Sequence, residues 1–150
     1  MVGVLVRRLQ HAHDMAWAAH VHESLSGLEY TVLGTIRDQP GIEQGVLAGR
    51  VSLQRSTMAD VGRRLEQRGL ISRQVNPRDA RSKLLDLTAR GRATLQDADD
   101  RVPALAAALL ADDEDPSSLL RRLEDLADRW DELGPPTEPG PLGGMVSPHP

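Results

Sequence analysis

Residues 41–91 read GIEQGVLAGRVSLQRSTMADVGRRLEQRGLISRQVNPRDARSKLLDLTARG, and the fold turns on this stretch. Ile42, Val46 and Leu47 stand at helical spacing, and the short segment they define ends near Gly49. Val51 then fills a tight turn, and Ser52 is placed to cap a second helix with its hydroxyl. In that helix Met58, Val61 and Leu65 recur at i, i+3 and i+7 and mark the buried stripe. Gln54, Arg55, Ser56, Ala59 and Arg63 surround the stripe or open the helix, a face of hydrogen-bonding groups, cations and one small residue. Gly69 stops it. Two short β-prone runs follow, Leu70–Val75 and Lys83–Leu87, joined by the polar loop Asn76-Pro77-Arg78-Asp79-Ala80-Arg81. Two helices with a tight turn, then a hairpin, make a winged helix-turn-helix, an architecture that reads DNA.

The same stretch resembles the core of the MarR family of bacterial transcription regulators. The matching features are the Pro40-Gly41 entry, Arg55-Ser56-Thr57 at the start of the recognition helix, and Leu65-Glu66-Gln67-Arg68-Gly69-Leu70. The wing carries Arg78-Asp79-x-Arg81, and Leu87-Thr88-x-x-Gly91 closes the motif. With the flanking helices the resemblance covers roughly residues 4 to 133, and the combination is far more specific than any one part. Two positions depart from the family pattern. Asn76 stands where the wing often begins with Asp, and Ala59 stands where a polar residue, commonly Thr, is usual. The resemblance implies a homodimer on a pseudo-palindromic operator, with Gln54, Arg55, Ser56, Thr57, Ala59, Arg63, Arg78, Asp79 and Arg81 at the DNA.

Outward from this core, the first helix is expected from Val4 to Ser24, with Val6, Leu9, Ala16, Trp17 and Val21 as its apolar stripe. Ser24 to Gly27 is a break in which Ser24 or Ser26 can cap the next helix. Leu28, Val32, Leu33 and Ile36 define that helix, which Pro40-Gly41 ends. After the wing, Thr88 caps a long helix whose face is Leu95, Ala98, Val102, Leu105 and Leu109, with a bend at Pro103. Asp112-Asp113-Glu114-Asp115 ends it and places negative charge before the next helix, where the dipole favours it. Pro116 fits a first turn. Leu119, Leu120, Leu123, Leu126, Ala127, Trp130 and Leu133 then form a wide apolar face. The apolar surface of the first, fifth and sixth helices exceeds what one small domain needs, which points to a homodimer. The expected organisation is one domain over 1–133, with the winged core at 28–91 and dimerisation helices at 4–24 and 92–133. Residues 134–150 hold 6 Pro and 4 Gly among 17 and are expected to be a flexible tail.

The fold class is therefore mainly α: a winged helix-turn-helix with a two-stranded β wing and N- and C-terminal dimerisation helices. Composition agrees with it. The 150 residues contain no Phe, two Trp and one Tyr, so the core must be aliphatic. No Cys is present, which excludes disulfides, thiolate metal sites and thiol-based sensing. No apolar run reaches the length of a membrane span, and the N-terminus lacks a secretory signal's long uncharged core, so the expected location is cytoplasmic. Net charge is −4, but it is unevenly placed. Residues 50–96 hold 11 basic and 4 acidic side chains, whereas residues 97–150 hold 4 basic and 13 acidic. The positive block coincides with the recognition helix and wing, where phosphate must be neutralised.

Among individual residues, Arg81 at the wing suits the narrow, electronegative minor groove of A·T-rich DNA, and Asp79 could hold its guanidinium in a bidentate pair. Gln54, Arg55 and Ser56 open the recognition helix, where side chains and backbone N–H groups meet base edges and phosphate. Arg63 suits a phosphate contact, while Arg64 and Arg68 are explained by the cationic C-terminal end of a helix.

The first helix carries His11, His13, His20 and His22. Pairs two apart diverge by about 200°, and His13 and His20 share a face about 10 Å apart along the axis, so a metal needs ligands from elsewhere. The segment from Leu5 to Trp17 is similar to the first helix of MarR-type regulators of aromatic-acid catabolism. That likeness implies an effector pocket with Arg7 and His13 as polar contacts and Trp17 as a wall, fitting a phenolic or aromatic carboxylate.

No Gly-rich phosphate loop follows a strand and no Ser has a recognisable base partner, so the chain does not read as an enzyme and implies no cofactor. Two other readings compete: a winged-helix protein-interaction module, against which the positive block and wing arginines argue, and a metal-responsive regulator built on the His-rich helix.

Overall fold

The computed structural model describes residues 1–134; the proline-rich tail beyond lies outside the described residues. In chain order the elements are α1 (Val2–His20), α2 (Gly27–Asp38), β1 (Ile42–Glu43), α3 (Gln44–Arg50), α4 (Arg55–Gln67), β2 (Ile71–Asn76), β3 (Asp79–Leu87), α5 (Ala89–Leu110) and α6 (Pro116–Glu132). Two compact units are present, one ending at Ala111 and the other beginning at Asp112. The first contains a mainly helical winged helix-turn-helix.

Its core is aliphatic, as the composition requires. Leu25, Val32, Leu33, Ile36, Leu47, Met58, Val61, Leu65, Ile71, Leu85 and Leu95 are all buried. The stripe Met58–Val61–Leu65 thus faces inward, which turns the opposite side of α4 to solvent. The chain enters α2 through a capping box. Ser26 Oγ accepts from Glu29 N at 3.1 Å, and Glu29 Oε2 accepts from Ser26 N at 3.1 Å.

Three local expectations are corrected. Ile42 belongs to a strand, not to the short helix. Gly41 adopts φ 72°, and its N–H reaches Asp86 Oδ1 at 2.7 Å, which sets Ile42 opposite Leu85 on β3. The helix begins only at Gln44 and leaves Val46 exposed. Ser52 is not the N-cap of α4 either. It takes the left-handed conformation, φ 53°, inside the turn, and Gln54 is the N-cap, without a side-chain capping bond. In α1 the helix starts at Val2 and ends at His20; Trp17 and Val21 are buried, but Leu9 of the expected stripe is exposed.

The wing is a two-stranded antiparallel hairpin to which β1 adds a short third strand, in the order β1-β3-β2. Its loop is shorter than the polar run in the sequence suggests. β3 begins at Asp79, so only Pro77 and Arg78 connect the strands. Val75 pairs with Lys83 and Asn76 with Asp79, which leaves Ala80, Arg81 and Ser82 as a bulge on β3.

The hairpin is tied back at both ends. Gly69, at φ 70°, ends α4, with its N–H on Glu66 O at 2.8 Å. Thr88 caps α5 by accepting from Gly91 N at 2.9 Å and donates to the Gly69 carbonyl at 2.6 Å. A Cβ at Gly91 would overlap the Leu70 carbonyl, which is why the exit motif needs glycine there. Helix α5 runs on through Pro103.

In the second unit, Asp115 caps α6 by accepting from Ser118 N at 3.0 Å, with Pro116 in the first turn. Leu119, Leu120, Leu123 and Trp130 on this helix, and Leu133 at its C-cap, are exposed.

Candidate nucleic-acid interface

The exposed face of α4 opens with Gln54, Arg55, Ser56 and Thr57, all solvent-accessible, and continues through half-buried Ala59 to exposed Arg63. No acidic residue lies in its first turn, and no side chain caps its leading N–H groups. The end of the helix therefore keeps its positive dipole and free donors. Arg63 is not wholly free: its Nη1 lies 3.1 Å from Asp60 Oδ1 on the same exposed face.

The wing presents its cations by a different device. The turn is stitched by Asn76, whose Oδ1 accepts from Arg78 N at 3.0 Å and whose Nδ2 donates to Ser82 Oγ at 3.0 Å. Asn76 thus does the turn-forming work that an Asp could do only in part, since Asp lacks the amide donor. Asp79 Oδ1 accepts from the backbone N–H of Arg81 at 3.0 Å. Its approach to the guanidinium is a single Nε contact at 3.8 Å, not the bidentate pair expected from sequence. Asp79 therefore shapes the bulge, and the bulge throws Arg81 outward until its side chain is 97% exposed.

Between the start of α4 and the bulge of the wing lies a groove of about 210 Å³, lined by Glu43, Gln44, Gly45, Arg55, Arg81, Ser82 and Lys83. The structure thus brings Arg55 and Arg81 to one groove, although 26 positions separate them in sequence. Glu43 and Lys83 also line it, and sequence reasoning singles out neither. Lys83 has a signal, its place in the positive block. Glu43 has none, because only the Gly41 turn carries it there.

Behind α4, side chains from other elements fix the helix. Arg68, at its C-cap, donates to Glu29 Oε2 at 3.0 Å and to the Ser24 carbonyl. Glu29 is buried, so this pair joins the capping box of α2 to the end of α4. Arg68 accordingly has a structural partner and not merely a helix-end charge. Arg73 on β2 reaches Glu66 at 3.3 Å.

The candidate effector residues are only partly assembled. His13 and Trp17 stack with ring centroids 5.8 Å apart, and Trp17 stacks in turn on Tyr30 at 5.0 Å. Trp17 is buried and donates its indole N–H to the Leu25 carbonyl at 2.6 Å. Tyr30 donates to Asp99 Oδ1 at 2.8 Å, and Arg37 donates to the same carboxylate. Burial first, and the Asp99 carboxylate second, push the Tyr30 phenol above its ordinary value. Trp17 lines a cavity of about 280 Å³ with Asp14, His22, Ser26, Glu29 and Arg68 among its walls, but neither Arg7 nor His13 lines it. Arg7 is exposed. Among the described residues no three His, Cys, Asp or Glu side chains converge on a metal position.

Comparison with known proteins gives a consistent picture. Residues 25–83 match the model of the MarR family. The chain is 36% identical over 90 residues to the transcriptional regulator HosA of Escherichia coli O111:H-. That match spans 60% of this chain and 66% of the relative, just under two thirds of its length. The structure of the PcaV transcriptional regulator from Streptomyces coelicolor, in complex with its natural ligand, aligns with TM-score 0.78 at 34% identity. The alignment covers 87% of this chain and 91% of that one. The transcriptional repressor CouR, bound to a 23-mer DNA duplex, aligns with TM-score 0.73 at 29% identity, covering 85% of this chain and 92% of its own.

Proposed function

The chain belongs to the MarR family, and from that membership we propose that it is a homodimeric, sequence-specific DNA-binding transcriptional regulator, a repressor released by a small ligand. One observation carries the DNA reading: Arg55, Arg81 and Lys83 line a single groove between an uncapped helix start and an outward-thrown wing bulge. Gln54, Arg55, Ser56, Thr57 and Ala59 then face base edges in the major groove, with Arg63 on phosphate. Arg81 enters the adjacent minor groove with Arg78 beside it, and Asp79 sets the bulge that aims Arg81. CouR, a repressor solved on DNA, supports both the partner and the sign of regulation. Such a protein works in the cytoplasm, and no described helix is long and apolar enough to cross a membrane.

The exposed apolar side chains on α1 (Val4, Leu5, Leu9) and on α6 (Leu119, Leu120, Leu123, Trp130) support a dimer. A dimer holds two recognition helices about one DNA turn apart on a pseudo-palindromic site. The effector in this reading is a phenolic or aromatic carboxylate, and PcaV, solved in complex with its natural ligand, supports a ligand-binding role. Trp17 offers the aromatic wall and His13 already stacks on it, while Arg7 reaches the same ligand only if the pocket wraps the helix or borrows the partner protomer.

The test is fluorescence anisotropy with duplex DNA from 50 to 300 mM salt, roughly the range over which phosphate contacts are most legible, paired with sedimentation at micromolar protein. A steep loss of affinity with salt and a dimer without DNA are expected. Salt-independent binding would remove the DNA reading, and a well-folded monomer would remove the paired half-site geometry.

A further inference from the structure

Within the groove that holds Arg55, Arg81 and Lys83 sits one carboxylate, Glu43. A surface built only to neutralise phosphate has no use for it, since each acidic group there opposes the backbone charge of DNA. Glu43 is the N-cap of α3, yet its side chain makes no capping bond. Glutamate is also outside the set of residues favoured at that position, so helix capping does not account for it. Its placement is informative. A point one Cβ off Gly45 lies 3.4 Å from Glu43 Oε1, 3.9 Å from Arg55 Cζ and 4.0 Å from Arg55 Nη2. The carboxylate and the guanidinium therefore flank the same bare glycine, near enough to attract each other without a formed ion pair.

We propose that Glu43 is a specificity-determining residue: its carboxylate competes with DNA phosphate for the Arg55 guanidinium, so that Arg55 is given up only to a base edge that binds it better. This rests on the DNA-reading function proposed above and concerns the same groove. Specificity is a difference of affinities, and weakening the wrong complexes raises it as surely as strengthening the right one. Every duplex offers Arg55 a phosphate oxygen, whereas only certain sequences offer the paired O6 and N7 acceptors of guanine, which a guanidinium grips with two hydrogen bonds. A neighbouring carboxylate raises the threshold for the first kind of contact and leaves the second within reach. Arg81, thrown outward by its bulge, keeps a 97% exposed side chain.

The experiment compares wild type with Glu43→Gln, a near-isosteric change that removes the charge and leaves α3 with no lost capping bond. The probe is a pool of duplexes with a randomised centre, used in two ways. Bulk binding to the unselected pool, measured against salt, reads the non-specific affinity. Sequencing after rounds of selection reads base preference. The Glu43→Gln variant should bind the unselected pool about two- to fivefold more tightly, the size expected for one exposed charge interaction. Its salt slope should steepen by about 0.9 for each additional phosphate neutralised, and its selected sites should lose preference at the position read by Arg55. In an Arg55→Ala background the Glu43→Gln change should leave base preference unchanged and raise bulk affinity by less than in wild type, since only the direct repulsion between carboxylate and phosphate remains to be relieved. Unchanged bulk affinity and salt slope overturn the proposal while leaving the DNA reading intact. Weaker binding by Glu43→Gln with a normal thermal transition also overturns it, by making Glu43 a direct contact. If wild type itself fails to bind the pool at any salt, the DNA reading and the proposal fall together.

Discussion

Replacing Arg81 with alanine isolates the wing more cleanly than any other single change, because the structure separates its cost to folding from its cost to binding. The side chain is 97% exposed, and its nearest charged partner, Asp79, approaches only Nε at 3.8 Å. What Asp79 does hold is the Arg81 backbone N–H, at 3.0 Å, and alanine keeps that bond. The bulge should therefore survive, and folding stability should move by no more than about 0.5 kcal/mol, as for other exposed positions. Binding is another matter. A base-reading or groove-reading arginine contributes about 1–3 kcal/mol, and a dimer loses two of them, so about 2–6 kcal/mol is at stake. That corresponds to a loss of roughly thirtyfold or more in affinity. The assay is anisotropy on a duplex selected by the wild type, with circular dichroism as the folding control.

Asp79→Ala supplies a contrast of sign. Removing a negative charge beside DNA should strengthen binding by charge alone, but loss of the acceptor for Arg81 N–H should loosen the bulge and weaken it. Weaker binding is the expected result. An Arg81→Ala variant that binds within about threefold of wild type at moderate salt would refute the minor-groove role, and a tighter Asp79→Ala would refute the shaping role.

Other predictions test different parts of the molecule. Gly91→Ala should lower stability by about 1–3 kcal/mol in chemical denaturation, because its Cβ meets the Leu70 carbonyl and the junction must shift; an unchanged midpoint would show that the exit motif is not close-packed. Tyr30→Phe keeps the ring stacked on Trp17 but loses the bond to Asp99, and should cost about 1 kcal/mol at neutral pH. Because the folded-state pKa of Tyr30 is raised, its contribution is fully present below pH 10, the ordinary phenol value, and is lost as pH rises through the folded value. The gap between variant and wild type should therefore close in alkaline solution, and a gap that widens would contradict the sign. Calorimetric titration of hydroxylated benzoates should show binding to wild type that weakens in Arg7→Ala and in His13→Ala, with release of DNA at saturation; binding undiminished in both would remove these residues from the pocket.

What can be read from the sequence is set by how local the cause is. Met58, Val61 and Leu65 are buried as their spacing implies, because one turn of helix fixes their common face. Thr88 and Gly91 are legible for a related reason: the cap that joins them is made within four residues. Ser52 misleads because a hydroxyl before a helix looks like a cap, whereas the turn uses this residue at φ 53° and passes the cap to Gln54. Ile42 misleads because its neighbours satisfy helical spacing, while its actual partner, Leu85, is 43 positions away. Register also hides the placement of Arg81. Its type and its neighbours suggest a loop tip, but only the pairings Val75–Lys83 and Asn76–Asp79 show that it lies in a bulge.

The recognition helix is held at one end and left open at the other, and this asymmetry is how the fold serves its site. At the C-terminal end Arg68 ties the helix to the buried Glu29 and to the Ser24 carbonyl, so the contact reaches back to the capping box of α2. Along the back, Gly62 leaves room where a Cβ would come within 3.3 Å of Gln44 Oε1, and Glu66 pairs with Arg73 of the wing. At the N-terminal end no side chain satisfies the first N–H groups. A capped helix would be more stable by about 1 kcal/mol, a gain this chain forgoes at the end that faces the groove. The free donors and the positive dipole are instead available to an anion, while the anchored end keeps the helix from shifting as that anion is taken up. The wing bulge then brings Arg81 to the same opening that Arg55 lines. A helix fixed by its far end can be aimed by small changes near that anchor, and the cavity containing Trp17 has Glu29 and Arg68 in its wall. The Glu29–Arg68 pair thus lies both in the wall of that cavity and at the anchored end of α4.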